Sequence, residues 1–332
     1  MKMPLKISIY ITSYNQKHYL IEAIESVLNQ TLKPYQIIIV DDCSTDGSQN
    51  IIAGYASRYP ELITPIYHSQ NQGVAQTRIH AMQAVTGDYA TYVDGDDRIL
   101  PTKLEKEAKL LQDNSHAQIA FSNYYYITEN GIRTGIWADG ETPPQGDVFR
   151  QTFAREFPRR NLFRNELVNY QAWKNIGFYD TYLGIYHDYE MRIRLTKQLQ
   201  IVYYDEPLAE YRRCQSGVSS AKLIQHLAEL EYAYKKNILL LKQLSLKEQD
   251  TIRRKLGEYL AVVARGAARQ SLLESASSVN NRVDAIRYYL KGLQYQPDYL
   301  DYKLALRILL PKTVYVWIKS KYFLLKVKNN QL

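Results

Sequence analysis

Three apolar runs in the first hundred residues each end abruptly at a polar or acidic turn, and helix-like stretches separate them. Ile7-Ser8-Ile9-Tyr10-Ile11 gives way to Thr12-Ser13-Tyr14-Asn15. Residues 36–40 stop at Asp41-Asp42-Cys43-Ser44-Thr45-Asp46-Gly47, and residues 89–93 stop at Asp94-Gly95-Asp96-Asp97. Between the first two runs, Leu20, Ala23, Ile24, Val27 and Leu28 recur at helical spacing. A helix is expected from Ser48, a strand over 62–67, a helix over 74–85 and another opened by Pro101. Strands alternating with helices predict an α/β fold with an open, mainly parallel sheet flanked by helices. Such sheets bind ligands beyond the carboxyl ends of their strands. Thr12 to Tyr14, Asp41-Asp42 and Asp94 to Asp96 are therefore expected to gather on one edge.

Beyond residue 100 the pattern changes twice. Residues 119–127 read as a Tyr-rich strand, 128–146 as a Gly- and Pro-bearing loop, 188–199 as an amphipathic helix and 201–204 as a strand. After Ser220 come helical segments over 223–244, 246–264, 282–293 and 302–310, then a basic segment over 312–328. At 332 residues the chain exceeds what one core usually serves. We expect one domain over 1–220, with halves over 1–100 and 101–220, and an α-helical appendage over 221–332.

Charge sharpens that boundary. The formal net charge is +8, yet residues 1–220 hold 22 Lys+Arg against 25 Asp+Glu, and residues 221–332 hold 20 against 9. The whole positive excess belongs to the last third. Residues 302–332 carry seven basic residues and no acid, and Val314, Trp317, Ile318, Tyr322, Leu324 and Leu325 share one helical arc. That pattern suits an anionic membrane surface, each basic residue adding on the order of 1 kcal/mol; a helix packed on the catalytic domain with a solvated basic face is the alternative. No nucleic-acid module appears. Cys43 and Cys214 form no paired metal spacing, no run approaches a membrane span, and the N-terminus lacks a signal-peptide pattern. The expected location is the cytoplasm, peripheral on the cytoplasmic face of the membrane if the basic end binds lipid.

Asp94-Gly95-Asp96 carries the chemistry. A pair of aspartates at this spacing arises readily by chance, so its place at a strand end gives it weight. Two carboxylates there can hold a hard divalent cation that keeps waters and bridges phosphates; an Asx-turn ahead of Pro101 is the structural alternative. Asp41-Asp42 can receive a ribose hydroxyl or a base N–H, or form a solvated turn. Tyr14 can lie against a flat base while Thr12 hydrogen-bonds it.

Taken in order, these motifs resemble the family 2 inverting glycosyltransferases with the GT-A fold, over about two-thirds of the chain. The resemblance adds Ser26-Val27-Leu28-Asn29-Gln30-Thr31, Asn71-Gln72-Gly73-Val74 leading to Arg78, Thr86-Gly87-Asp88-Tyr89, Ile176-Gly177-Phe178-Tyr179-Asp180 and His187-Asp188-Tyr189-Glu190. It implies that 1–220 is the catalytic domain, with a nucleotide half over 1–100 and an acceptor half over 101–220, and that Thr12, Tyr14, Asp42, Arg78, Asp94 and Gly95 surround a nucleotide-sugar. It further implies that Asp94 and Asp96 meet ribose and a Mn²⁺ or Mg²⁺ ion, Asp96 the more direct ligand, and that Asp188 is the catalytic base. His187 stands where the family's usual Glu precedes that base. Cys214 stands where many members have a His; a soft thiolate suits Mg²⁺ or Mn²⁺ poorly, so Arg212 or Arg213 is expected to neutralise the leaving diphosphate instead. The Gln-x-x-Arg-Trp motif of the processive polymerases is absent. The resemblance thus implies a non-processive enzyme moving one hexose or N-acetylhexosamine from a UDP-sugar to a hydroxyl of a glycan or lipid-linked acceptor. A nucleotide-sugar-binding scaffold without chemistry is the alternative, and intact Asp94, Asp96 and Asp188 weigh against it.

Overall fold

The computed structural model describes residues 5–214, 222–274 and 279–296, with Asp301, Leu304, Ala305 and Ile308. Its contacts divide the chain into two compact units, Met1–Ser220 with Lys236–Gln243, and Ala221–Lys235 with Leu244–Leu332.

The first unit is built on a sheet of nine strands among the described residues, eight of them in the order β3-β2-β1-β4-β8-β6-β9-β5. Strands β1 (Ile7–Ser13), β2 (Gln36–Asp41), β3 (Ile63–Tyr67) and β4 (Tyr89–Asp94) run parallel. Every residue of β1 is buried, as expected of a strand covered on both faces. Helices α1 (Lys17–Leu28), α2 (Ser48–Arg58) and α3 (Val74–Gln83) make the crossovers. Helix α1 buries Leu20, Ala23, Ile24 and Val27, the stripe its spacing predicts. Gly87 is required where the chain enters β4, because a Cβ there would stand 2.6 Å from the Lys6 carbonyl oxygen.

The other half of the sheet is mixed. Strand β6 (Ile119–Ile127) pairs parallel with β9 (Ile201–Arg212) and antiparallel with β8 (Leu167–Asn169), which joins it to β4. Strand β5 (Arg98–Ile99) closes the far edge on β9. Helices α4 (Lys103–Asp113), α5 (Phe149–Ala154), α6 (Tyr170–Ile176) and α7 (His187–Gln198) pack around it.

Two sequence expectations need correction here. The segment expected to be loop over 128–146 contains β7 (Arg133–Ile136), which pairs antiparallel with β6. A tight turn makes this possible: Thr128 donates its N–H to the Ile132 carbonyl, and Gly131 takes φ 77°. The strand expected to end at Tyr204 runs on to Arg212 through Pro207, and register shifts near Asn123 absorb the irregularity.

The second unit is helical. Helices α8 (Leu223–Asn237), α9 (Leu246–Glu274) and α10 (Val279–Tyr295) each differ from expectation mainly at their ends. Helices α9 and α10 approach closely at two glycines: a Cβ on Gly257 would meet the Tyr295 carbonyl oxygen at 3.0 Å, and one on Gly292 would meet Arg265 Cγ at 3.2 Å. Lys291 and Tyr295 both bond Glu231. Among the described residues, no helix is long and apolar enough to cross a membrane. The helix expected over 302–310, the basic segment over 312–328 and the membrane contact expected of 302–332 lie outside the described residues, save Leu304, Ala305 and Ile308.

Candidate active site

The parallel register brings the three strand ends together. Thr12 lies beside Val40 on one side and Asp94 on the other, and Ser13 lies beside Asp41. Gly95 follows at once, its N–H donating to the Thr12 carbonyl at 2.9 Å. A Cβ on Gly95 would stand 2.9 Å from that carbonyl oxygen and 2.5 Å from Gln16 Oε1, so only glycine separates the two carboxylates in this turn.

Asp94 is held by two arginines. Arg78 Nη2 donates to its Oδ1 at 2.5 Å and Arg164 Nη2 to its Oδ2 at 3.3 Å, while Thr12 Oγ1 donates at 3.3 Å. Burial alone would raise the Asp94 pKa, but the two guanidiniums outweigh it and hold the carboxyl below its usual range. Among the described residues no arginine bonds the Asp96 carboxylate. Burial, reinforced by the charge of Asp94, pushes it up to about 6. Asp97 is buried deeper. It accepts the Arg212 N–H at 2.7 Å, its Oδ2 has no hydrogen-bond partner among the described residues, and burial with the charge of Asp96 drives its pKa well up.

Asp188 lies in the first turn of α7, one residue beyond the start. Its Oδ1 accepts the Tyr189 N–H at 2.7 Å and its Oδ2 accepts Arg192 Nη1 at 2.6 Å. Arg192 also grips Glu166 through two bonds of 2.9 and 3.0 Å. Burial raises the Asp188 pKa; Arg192, His187, Arg164 and Arg78 reverse this and hold it far below the carboxylate range. Arg78 and Arg164 thus act on both Asp94 and Asp188, which places the two acids in one electrostatic field. The Asp188 side chain is 27% exposed while Arg192 is 2% exposed, so a ligand can reach the acid from the open side. Burial and the Arg78 charge push His187 down to about 4. Its Nδ1 bonds the Gly184 carbonyl, and it is neutral at neutral pH.

The remaining expected residues are placed as follows. Asp42 is buried, its Oδ1 against His68 Nδ1 at 2.8 Å and the Gln72 N–H at 2.7 Å, its Oδ2 against the Gly73 N–H at 2.9 Å. It therefore fastens the turn that launches α3, the helix carrying Arg78. Tyr14 is half exposed beside that edge. The Arg212 guanidinium is spent on the carbonyls of Asp96, Thr128 and Glu129 and on Glu22. Arg213 is exposed, its guanidinium 3.9 Å from the centre of the Tyr126 ring. Cys214 bonds Tyr19, and burial with the Asp96 charge raises its pKa, leaving a neutral thiol.

Sequence reasoning passed over Arg164, Glu166 and Arg192. The Arg192 position was legible, four residues after Asp188 on a helix. Arg164 and Glu166 were not, because they flank Asn165, whose φ of 51° turns them to opposite partners.

A cation fits this edge only in part through protein atoms. Among the described residues, no three His, Cys, Asp or Glu side chains close around a common point. Asp96 supplies one hard oxygen group that makes no salt bridge among the described residues. That donor set matches an ion whose remaining positions come from water and a bound phosphate.

The model of the glycosyl transferase family 2 matches residues 8–182. TuaG of Bacillus subtilis, described as a putative teichuronic acid biosynthesis glycosyltransferase, is 34% identical over 221 residues, 65% of this chain and 82% of TuaG. EpsE of the same organism, a putative glycosyltransferase, is 36% identical over 128 residues, and the match spans 46% of its length. Among solved structures, S. aureus TarS 1-349 in complex with UDP-GlcNAc superposes with a TM-score of 0.66 at 18% identity, covering 88% of this chain and 81% of that one. The mannosyltransferase PcManGT from Pyrobaculum calidifontis, in complex with GDP-Man and Mn²⁺, superposes with a TM-score of 0.56 at 13% identity, covering 96% and 89%. At these identities the structural likeness speaks for the fold.

Proposed function

This chain belongs to glycosyl transferase family 2 and has the GT-A fold, and on that premise we propose that it moves one sugar, with inversion, from a UDP-sugar to a hydroxyl of a glycan or lipid-linked acceptor. The observation that carries the reading is the pairing of two acids in one arginine field: Asp94 clamped, Asp188 ionised and reachable.

In this reading Thr12 and Tyr14 flank the base, and Asp42 offers its remaining Oδ2 lone pair to a base N–H. Asp94 and the Gly95 turn receive the ribose. Arg78, whose Nε and Nη1 are buried without a hydrogen-bond partner among the described residues, and Arg164 face the diphosphate. They take the role expected of Arg212, whose donors are already engaged. Asp96 would hold Mn²⁺ or Mg²⁺, which supplies charge neutralisation for the leaving nucleotide.

Asp188 accepts the acceptor's proton. Its ionised state is secured by Arg192 and by the N-terminal end of α7, and the neutral His187 leaves that charge unopposed by a second anion. A positioned carboxylate contributes about 10²–10⁴-fold as a general base. The salt bridge to Arg192 lowers the basicity of Asp188, so Arg192 orients the acid and also limits how readily it takes a proton. One base and one displacement invert the anomeric centre.

The test is a panel of UDP-, GDP- and dTDP-sugars assayed for release of the free nucleotide with Mn²⁺ or Mg²⁺. Release from a UDP-sugar is expected. Nucleotide-sugar binding with no release in the presence of glycan and lipid-linked acceptors would favour the scaffold reading.

A further inference from the structure

The acceptor half carries a second cluster of positive charge that the mechanism leaves unused. Arg155, Arg159, Arg160 and Asn165 all adopt left-handed backbone, with φ between 51° and 56°. Glycine would occupy such positions without the clash a Cβ brings. Strain of this kind, kept where a small residue would relieve it, marks side chains that serve a purpose. Asn165 positions its neighbours, and Arg155 is buried and donates to the Arg160 carbonyl. Arg159 and Arg160 are exposed.

Arg159 donates Nε to the Trp137 carbonyl at 3.2 Å, which aims its guanidinium at Tyr126, 5.7 Å from the ring centre. Arg213 approaches the same ring to 3.9 Å. Neither arginine makes an ion pair among the described residues. Asn161 Nδ2 donates to the Tyr126 hydroxyl at 3.4 Å, on the same ring. Two like charges on one aromatic ring repel each other, and an anion that meets both relieves that repulsion. The ring is buried beneath the guanidiniums, so Tyr126 does not offer its face to a sugar. Beside Arg213 lies an open hollow of about 350 Å³, lined also by Ile127, Thr128, Glu129, Asn130 and Thr134.

We infer that Arg159 and Arg213, seated on Tyr126, form a binding site for an anionic group, phosphate or carboxylate, carried by the acceptor. The word acceptor rests on the glycosyl-transfer reading; the anion site itself does not. The competing source of the anion is the donor's own diphosphate.

The experiment titrates the full chain, without added metal, with inorganic tripolyphosphate while saturating UDP, or whichever nucleoside diphosphate binds in its place, fills the donor site. Binding is expected to persist, to weaken about tenfold in Arg159→Gln and in Arg213→Gln, and to recover in part in Arg159→Lys. Unchanged melting temperatures show that the exposed substitutions leave the fold intact. Equal affinity in wild type and Arg159→Gln would overturn the site. Complete displacement of tripolyphosphate by the nucleotide would overturn its assignment to the acceptor and give the pair to the donor diphosphate. A chain that releases nucleotide from no donor would defeat the transfer reading while leaving this titration fully readable.

Discussion

Asp94 and Asp188 are largely withdrawn from water, and both stay ionised because arginines surround them. On Asp96, between the clamped Asp94 and the buried Asp97, burial and the Asp94 charge outweigh the pull of Arg164 and Arg212, and no arginine bonds its carboxylate among the described residues. That contrast explains why the two carboxylates of one short motif suit different tasks. Asp94 is already neutralised by protein, and Asp96 still wants a cation. In the presence of UDP, Asp96→Ala is expected to weaken Mn²⁺ binding by at least about tenfold, or about 1.4 kcal/mol, measured by calorimetric titration; unchanged affinity would place the ion elsewhere. At this scale the sequence carried Asp94, Asp96, Arg78 and Asp188 through ordered motifs. It could not carry Arg164, which meets Asp94 across 70 residues of chain, because no local pattern encodes such a meeting.

The elements that hold the site rely on a buried ion pair distant in sequence from the Arg164–Glu166 segment it fixes. Lys103 and Glu107 pair within α4, both fully buried, and Lys103 Nζ donates to the Asn165 carbonyl at 2.7 Å. Asn165 in turn donates to the Tyr92 carbonyl at 2.9 Å. The pair therefore fixes the left-handed residue from which Arg164 and Glu166 diverge. Lys103→Met alone strands the Glu107 charge and is expected to cost about 3–5 kcal/mol, while adding Glu107→Leu recovers much of it. Chemical denaturation of both variants checks this, and additive losses would refute it. On α7, burial would raise Glu190, but Arg194 and Lys236 hold it below its usual range. A depressed folded value means stability that is present above the unfolded value, about 4.3, and lost as pH falls through the folded one. Glu190→Gln is expected to lower the melting temperature near neutral pH and to flatten its decline below about pH 4.3; parallel curves would contradict the assignment. Periodicity revealed helices such as α1 because one face is buried. Strand β7 escaped it because its burial is slight and only the Thr128–Ile132 turn defines it.

At the scale of the whole chain, the charge asymmetry divides the molecule much as its contacts do. The first 220 residues hold the carboxylates of the site, and the last third carries the positive excess. The full chain is expected to co-sediment with vesicles containing phosphatidylserine at low salt and to release as salt rises past the point where the screening length falls to about 8 Å. No binding at low salt would remove the membrane role. The mainly parallel sheet, the strand-end edge and the helical end were readable from alternation and charge. The antiparallel strands β5, β7 and β8 were not, because two to four residues hold no period.

In the proposed mechanism Asp188 takes the proton in a single displacement. It is tested most directly by the turnover of Asp188→Asn with its preferred nucleotide-sugar and acceptor, alongside its affinity for the nucleotide. A kcat lower by about 10²–10⁴-fold is expected, with nucleotide affinity and melting temperature close to wild type. A variant that keeps the wild-type kcat would contradict it.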